Sequence, residues 1–211
     1  MKKLSLLFLL LIGVSSLLSA KIKYQGFTGG MRIHTGYLTT KNYTIADPDQ
    51  NIIFSNKAQG FPFGMGGAAK VQFGEHLRVG FEGYFSSLKQ KNNGYISTGW
   101  GGALIDCVWH IKKWSPFVGT SIGGGSIKNL YLNADTKNDF TTDNNTMFRK
   151  YPFMAIVPFV GVEYAVNQKI SFIFKVDCIF NVSNRESDYT LGPRFHFGIS
   201  FNRLKKTSVS E

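Results

Sequence analysis

Cysteine is scarce in this chain of 211 residues: only Cys107 and Cys178 are present, so at most one bridge could form in an oxidising compartment. Proline is sparse as well, at 6 residues, and no helical periodicity accompanies it. Acidic side chains number 13 against 24 basic ones. Long apolar runs are missing after residue 20. No later stretch reaches the roughly 20 residues that a spanning helix needs without a polar or glycine interruption. A helical membrane domain is therefore not expected.

One apolar run does exist, at the start. Met1-Lys2-Lys3 is followed by an apolar stretch over residues 4–14 and by small residues over 15–20, ending at Ala20. Basic start, short apolar core and small-residue end form the layout of a cleaved secretory signal, expected over residues 1–20. Removing Lys2 and Lys3 from the 24 basic residues leaves 22 against 13 acidic, a net charge of +9. For an exported chain this points away from nucleic acid and toward anionic lipid head groups or lipopolysaccharide phosphates.

What the chain has in quantity is aromatics and glycine: 19 Phe, 9 Tyr, 3 Trp and 23 Gly. Their arrangement alternates. In residues 170–182, Ile170, Phe172, Phe174, Val176, Cys178, Phe180 and Val182 share one phase, while Ser171, Lys175, Asp177 and Asn181 share the other. Successive side chains of a strand point to opposite faces, so this segment reads as a strand with one apolar and one charged face. The same alternation recurs over 26–37, 64–73, 77–88, 99–111, 156–166 and 192–202. Residues 116–128 leave their facing open. The tetrad Pro116-Phe117-Val118-Gly119 repeats as Pro158-Phe159-Val160-Gly161, which orients Val118 and Ile122 outward and brings the count of strands to eight.

Connections alternate in length. Gly74–His76, Lys112–Ser115 and Asn167–Lys169 read as tight turns. Segments 40–60, 133–153 and Ser183–Leu191 read as longer polar loops, and Lys89–Gly94 ends in an Asn-Asn-Gly turn signal. Transmembrane barrels show this asymmetry between periplasmic turns and outer loops.

The two faces decide which side of the barrel meets water. The mixed face carries Arg32, Lys70, Arg78, Glu82, Asp106, Glu163, Lys175, Asp177 and Arg194, interleaved with glycines. Eight staves enclose just enough room for side chains, and compensating ion pairs suit that interior. The other face is a band of Phe, Val, Ile and Leu, with Tyr37, Trp100 or Trp109, Trp114 and Tyr164 near strand ends, the composition of an interfacial aromatic girdle. The expected fold is an all-β, eight-stranded antiparallel up-and-down transmembrane β-barrel, residues 21–202, with a polar, side-chain-filled interior and a short polar tail, 203–211. By phase Cys107 and Cys178 both face outward, on strands that are not neighbours, so neither is expected in a disulfide.

Signal, alternating strands, Pro-Phe-Val-Gly repeats and an aromatic-rich last strand resemble the OmpA/OmpX-type and PorT-like outer-membrane β-barrel families over roughly residues 24–202. Thr190-x-Gly192-x-x-Phe195-x-Phe197 resembles the C-terminal signal that the barrel-insertion machinery reads, although here Asn202–Glu211 follows Phe201 where members commonly end on an aromatic. The resemblance implies a monomer in the bacterial outer membrane, in contact with its lipid and lipopolysaccharide. Its role would be structural or exerted through extracellular loops toward an unidentified extracellular protein or ligand. Tyr43, Phe54, Phe140, Phe148, Arg149 and Tyr151 are the contact-prone residues of those loops.

Two alternatives belong to other classes. Interior His34, His110 and His196, with Asp106, Glu163 and several serines, offer the residue types of a lipid-A-modifying acyl transferase or deacylase. A soluble lipocalin-like barrel would place the apolar face inside a ligand cup. No metal or cofactor is expected: the four histidines, His76 included, lack the paired spacing of a zinc site, and the glycine clusters lack the strand-turn-helix context of a phosphate loop.

Overall fold

The computed structural model describes residues 23–47, 52–90, 94–132, 146–183 and 186–204. The expected signal at 1–20 and the tail beyond Leu204 lie outside those residues. The described chain is built of strands: β1 (Tyr24–Gly36), four short strands β2 (Leu38–Thr39), β3 (Tyr43–Asp47), β4 (Ile52–Asn56) and β5 (Gln59–Gly60), then β6 (Phe63–Phe73), β7 (Leu77–Lys89), β8 (Tyr95–Val108), β9 (Trp114–Leu132), β10 (Thr146–Ala165), β11 (Ile170–Cys178), β12 (Phe180–Asn181) and β13 (Pro193–Leu204). No helix among the described residues is long and apolar enough to cross a membrane.

The long strands close into one antiparallel ring in the order β1, β6, β7, β8, β9, β10, β11, β13, with β13 returning to β1. β12 continues β11 in the same register against β10, so the ring has eight staves. Closure follows from alternation: one face of every stave is apolar, and a closed ring leaves no long strand without a partner. The final stave runs to Leu204, two residues beyond the expected barrel end.

Facing is as the phase of the sequence dictates. Phe27, Met31, Phe63, Phe81, Phe85, Phe172, Phe174, Phe195, Phe197 and Phe201 stand exposed on the outside, and Val118 and Ile122 join them. A water-soluble surface rarely carries so large a contiguous apolar patch; facing hydrocarbon, it is the stable arrangement. Aromatic pairs mark both borders of the band. Trp114 and Tyr164 meet at 4.7 Å between ring centroids at the short-turn end, and Tyr37 and Phe61 at 5.6 Å at the loop end. Trp109 is outward, but Trp100 is not part of this girdle. It is 5% exposed, inside the barrel, stacked on Tyr84 with planes 10° apart. Parity explains it: Ala103, Ile105 and Cys107 face out, so position 100 must face in. Gly102, Gly123 and Gly125 make the room, since β8 and β9 pair there as Trp100↔Gly125 and Gly102↔Gly123.

The turns at one end are tight. Gly74 takes a left-handed φ of 60° between β6 and β7, and Lys112 takes 56° between β8 and β9. At the other end the segment read as a loop over 40–60 is largely a hairpin, β3 pairing with β4 from Tyr43↔Asn56 to Asp47↔Ile52. The segment read as a loop over 133–153 is shorter than expected, because β9 and β10 stay paired out to Thr146↔Leu132.

Candidate functional site

All nine charged residues of the mixed face point inward and are buried. They form two groups stacked along the barrel axis. Near the tight turns, Lys70 and Arg78 meet Asp106 and Glu163. Arg78 Nε and Nη2 hold Asp106 at 2.6 and 3.0 Å, its Nη1 holds Glu163 at 2.8 Å, and Lys70 Nζ reaches Asp106 at 3.1 Å and Glu163 at 3.3 Å. Two cations and two anions cancel. Both cations also lie over the Phe117 ring, at 4.9 and 5.1 Å, with an apolar layer of Leu104, Val108, Phe159 and Ile173 about it.

Higher in the barrel, Lys175 Nζ contacts Glu82 Oε2 at 2.8 Å and Asp177 Oδ2 at 3.1 Å; Arg194 Nε donates to Asp177 Oδ1 at 2.7 Å. Arg32 approaches Glu82 at 3.6 Å, and Ser121 Oγ and Tyr84 Oη donate to the same carboxylate at 2.6 and 2.7 Å. Charged groups taken out of water cost several kcal/mol each unless paired and hydrogen-bonded; each of these has an opposite charge beside it, although Asp177 Oδ2 and Arg194 Nη2 are buried without a hydrogen bond. Several pairs span the lumen. Lys70 on β6 and Glu163 on β10 belong to opposite staves of the ring, as do Glu82 on β7 and Lys175 on β11.

Above the charges a third layer closes the loop end. Leu88, Ile96, Trp100, Ile127, Phe153, Ala155, Val157 and Ile179 form an apolar plug, and Tyr43 and Tyr151 belong to it. These two tyrosines are therefore buried in the plug: the β3–β4 hairpin brings Tyr43 down over the mouth, where Asn56 Nδ2 donates to its hydroxyl at 2.8 Å and the hydroxyl donates to Gln90 Oε1 at 3.2 Å. Tyr151 lies in a strand whose alternation turns it inward. Phe148 and Arg149 are exposed at the rim. Phe54 is placed by its backbone alone, in β4, and Phe140 lies outside the described residues.

At that rim Arg149 binds Glu186 at 2.7 Å and Asp188 at 3.3 Å, and Asn129 Nδ2 donates to Asp188 at 3.2 Å. The hydrogen bond from Arg149 to Glu186 keeps its guanidinium pKa above the usual value. Sequence reading missed Asp188, which is 1% exposed. It sits in an irregular polar segment where no periodicity reports facing.

The residue types of a hydrolase are present but not assembled as one. His34 and His196 are buried with ring centroids 4.8 Å apart, and His196 Nε2 lies 2.9 Å from Asp177. Ser121 and Glu82 bond each other, and Asp106 and Glu163 hold cations. His110, expected inside, is exposed beyond the end of β8 at the tight-turn mouth. Its Nδ1 lies 3.0 Å from Ser115 Oγ and its Nε2 lies 3.1 Å from Gln72 Nε2. That amide nitrogen also donates to the Gly74 and Glu75 carbonyls at 3.4 and 3.2 Å, so its two hydrogens are directed at backbone as well as at the ring. A nucleophile needs a base that is itself oriented by a third group, and among the described residues no carboxylate bonds to either His110 nitrogen. Burial at the mouth, and then the Arg78 guanidinium, also lower the His110 pKa. Among the described residues no three His, Cys, Asp or Glu side chains gather to hold a metal.

Outward apolar belt, aromatic borders and a packed charged interior define the class: a small transmembrane β-barrel of the outer-membrane type. Solved structures bear this fold. Neisserial surface protein A is similar with a TM-score of 0.51 at 13% identity, over 85% of this chain and 98% of that one. OprG from Pseudomonas aeruginosa is similar with a TM-score of 0.52 at 10% identity, over 86% and 98%. At such identities the likeness is one of fold. No protein-family model matches the chain, and no curated protein matches it by sequence.

Proposed function

We propose that this chain is an integral protein of the bacterial outer membrane, without catalysis, whose role is structural or exerted at the cell surface by its loop end. The observation that carries this reading is the pairing of Lys175 with Glu82 and of Lys70 with Glu163 across the full width of the lumen. A barrel bridged in this way supports no continuous aqueous path, so transport of bulk solutes is disfavoured. With the interior filled and the outside in lipid, the exposed Phe148 and Arg149, the half-buried Glu186 and the loops around them are the surface left for recognition. The carboxylates committed to cations across the lumen support the absence of acyl chemistry. Barrel-insertion machinery, lipopolysaccharide and an extracellular protein or ligand are the partners this role implies.

Gel mobility of outer-membrane fractions, with and without boiling in mild detergent, tests the placement. A folded barrel resists the detergent and shifts on boiling. Recovery as a soluble periplasmic protein with no shift would overturn it. Mass spectrometry of lipid A from cells with and without the protein tests the chemistry: an altered acyl pattern would overturn the non-catalytic role.

A further inference from the structure

The outward face of β7 to β10 changes character toward the loop end. On β10 it climbs through Val160, Ile156, Met154 and Pro152, all exposed and apolar, to the exposed Lys150. Lys128 of β9 is exposed directly opposite, so that one rung of the ladder is Lys128↔Lys150. Lys89 is exposed in the same phase on β7, at the rung Lys89↔Tyr95. The acidic residues of these four staves are Glu82, Asp106 and Glu163, and all three are buried in the lumen. This stretch of outer wall therefore carries positive charge with no carboxylate of its own. Like charges directly opposite across a ladder destabilise it, and an anion set between them reverses the sign of that interaction.

Height and surroundings say which anion. The rung Lys128↔Lys150 lies fourteen rungs above Trp114↔Tyr164, the aromatic border at the tight-turn end. At roughly 3.3 Å per residue and a tilt of about 35–45°, that is about 33–38 Å along the barrel axis. The apolar belt of such barrels is about 25 Å tall, so the ammonium pair stands roughly 10 Å above its upper edge. Phosphates and sugars of a membrane lipid lie at that height, and its acyl chains lie below, beside Met154 and Ile156. A free phosphate would gain the charge alone; the apolar strip directly beneath the lysines is what favours a lipid. Elsewhere the border is different: on the side of β1 and β6 the outward residues at this end are Tyr37, Phe61 and Phe63.

We propose that Lys128 and Lys150 hold a phosphate of a phosphorylated outer-leaflet glycolipid, lipid A, against the outside of β9 and β10, with Lys89 adding to the field. The inference rests on the outer-membrane reading above and gives the lipopolysaccharide partner named there a place on the wall.

Native mass spectrometry tests it on the full chain, delipidated in mild detergent. The chain is exposed to purified lipid A, to dephosphorylated lipid A, or to lipid A with excess inorganic phosphate. Wild type is expected to retain one lipid A per barrel and to keep it when inorganic phosphate is added. Lys128→Gln combined with Lys150→Gln is expected to reduce retention about tenfold or more, as the loss of two cations at a charged membrane surface should. Dephosphorylated lipid A is expected to be retained about tenfold less by wild type, for the same reason. The control removes two exposed cations at the mouth, Lys41→Gln with Lys57→Gln, and should leave retention unchanged. Undiminished retention by the Lys128 and Lys150 variant, an equal loss in the control, equal retention of the dephosphorylated lipid, or displacement by inorganic phosphate would each overturn the proposal. Boiled and unboiled gels accompany every sample. A heat-shifting wild type with no adduct overturns the lipid site alone, whereas loss of the shift in wild type overturns the outer-membrane reading beneath it. If the double variant loses the shift, Lys150→Gln alone decides.

Discussion

Lys175 Nζ lies 2.8 Å from Glu82 Oε2 with neither side chain exposed, and the two residues come from opposite staves of the ring, 93 positions apart in sequence. Removing one partner leaves the other charge buried. Glu82→Ala is expected to destabilise the barrel by about 3–5 kcal/mol. Urea titration in detergent micelles, followed by gel mobility, measures it. Glu82→Leu combined with Lys175→Met should recover only part of that loss, because Arg32, which also faces Glu82, stays buried without its carboxylate.

On the outer face the direction reverses. Phe174 and Val160 are outward on adjacent staves, Phe174 opposite Val162 and Val160 opposite Val176. Phe174→Arg and Val160→Arg are each expected to cost about 2–4 kcal/mol if they lie near the bilayer midplane. Folding yield into lipid vesicles reads this out. Full tolerance of both would mean that these faces do not meet lipid.

Cys107 and Cys178 are free, on β8 and β11, with β9 and β10 between them. Identical gel mobility with and without reductant is expected from oxidised envelope fractions. A reductant-sensitive intramolecular species would contradict the strand order.

Gly123 has no room for a side chain, since a Cβ there would meet the Gly101 carbonyl and the Gly102 Cα of the neighbouring stave. Backbone cannot yield as a flexible side chain does. Gly123→Ala is therefore expected to destabilise by about 1–3 kcal/mol, the usual range for overpacking. The same urea titration measures it, and Gly99→Ala, where a Cβ meets nothing within 4 Å, serves as the tolerated control.

Alternation made the staves legible, because a period of two reports facing directly: Phe172, Phe174 and Lys175 could be assigned to their sides without any partner in view. The pairing of Lys175 with Glu82 was not legible, since it depends on ring register across 93 positions. Trp100 was legible by parity with Ala103, yet proximity to a strand end suggested a girdle. Tyr43 and Tyr151 read as loop residues because polar neighbours surround them; a hairpin folding over the mouth and a stave longer than the membrane turn them inward. Inward Ile96, Ile127 and Val157 break the polar phase near the loop end, and that break was the available sign of an apolar plug. Asp188 lies where the chain is irregular, and no periodicity could report it.

β10 runs 20 residues, about 65 Å at roughly 3.3 Å per residue, whereas the apolar belt of such barrels is about 25 Å tall. Even steeply tilted, that side of the wall must stand well clear of the bilayer, and it does so as a sheet, because β8 stays paired with β9 as far as Tyr95↔Leu130 and β7 with β8 as far as Lys89↔Tyr95. A macromolecule arriving at the loop end would meet that raised stretch of wall before the belt beneath it.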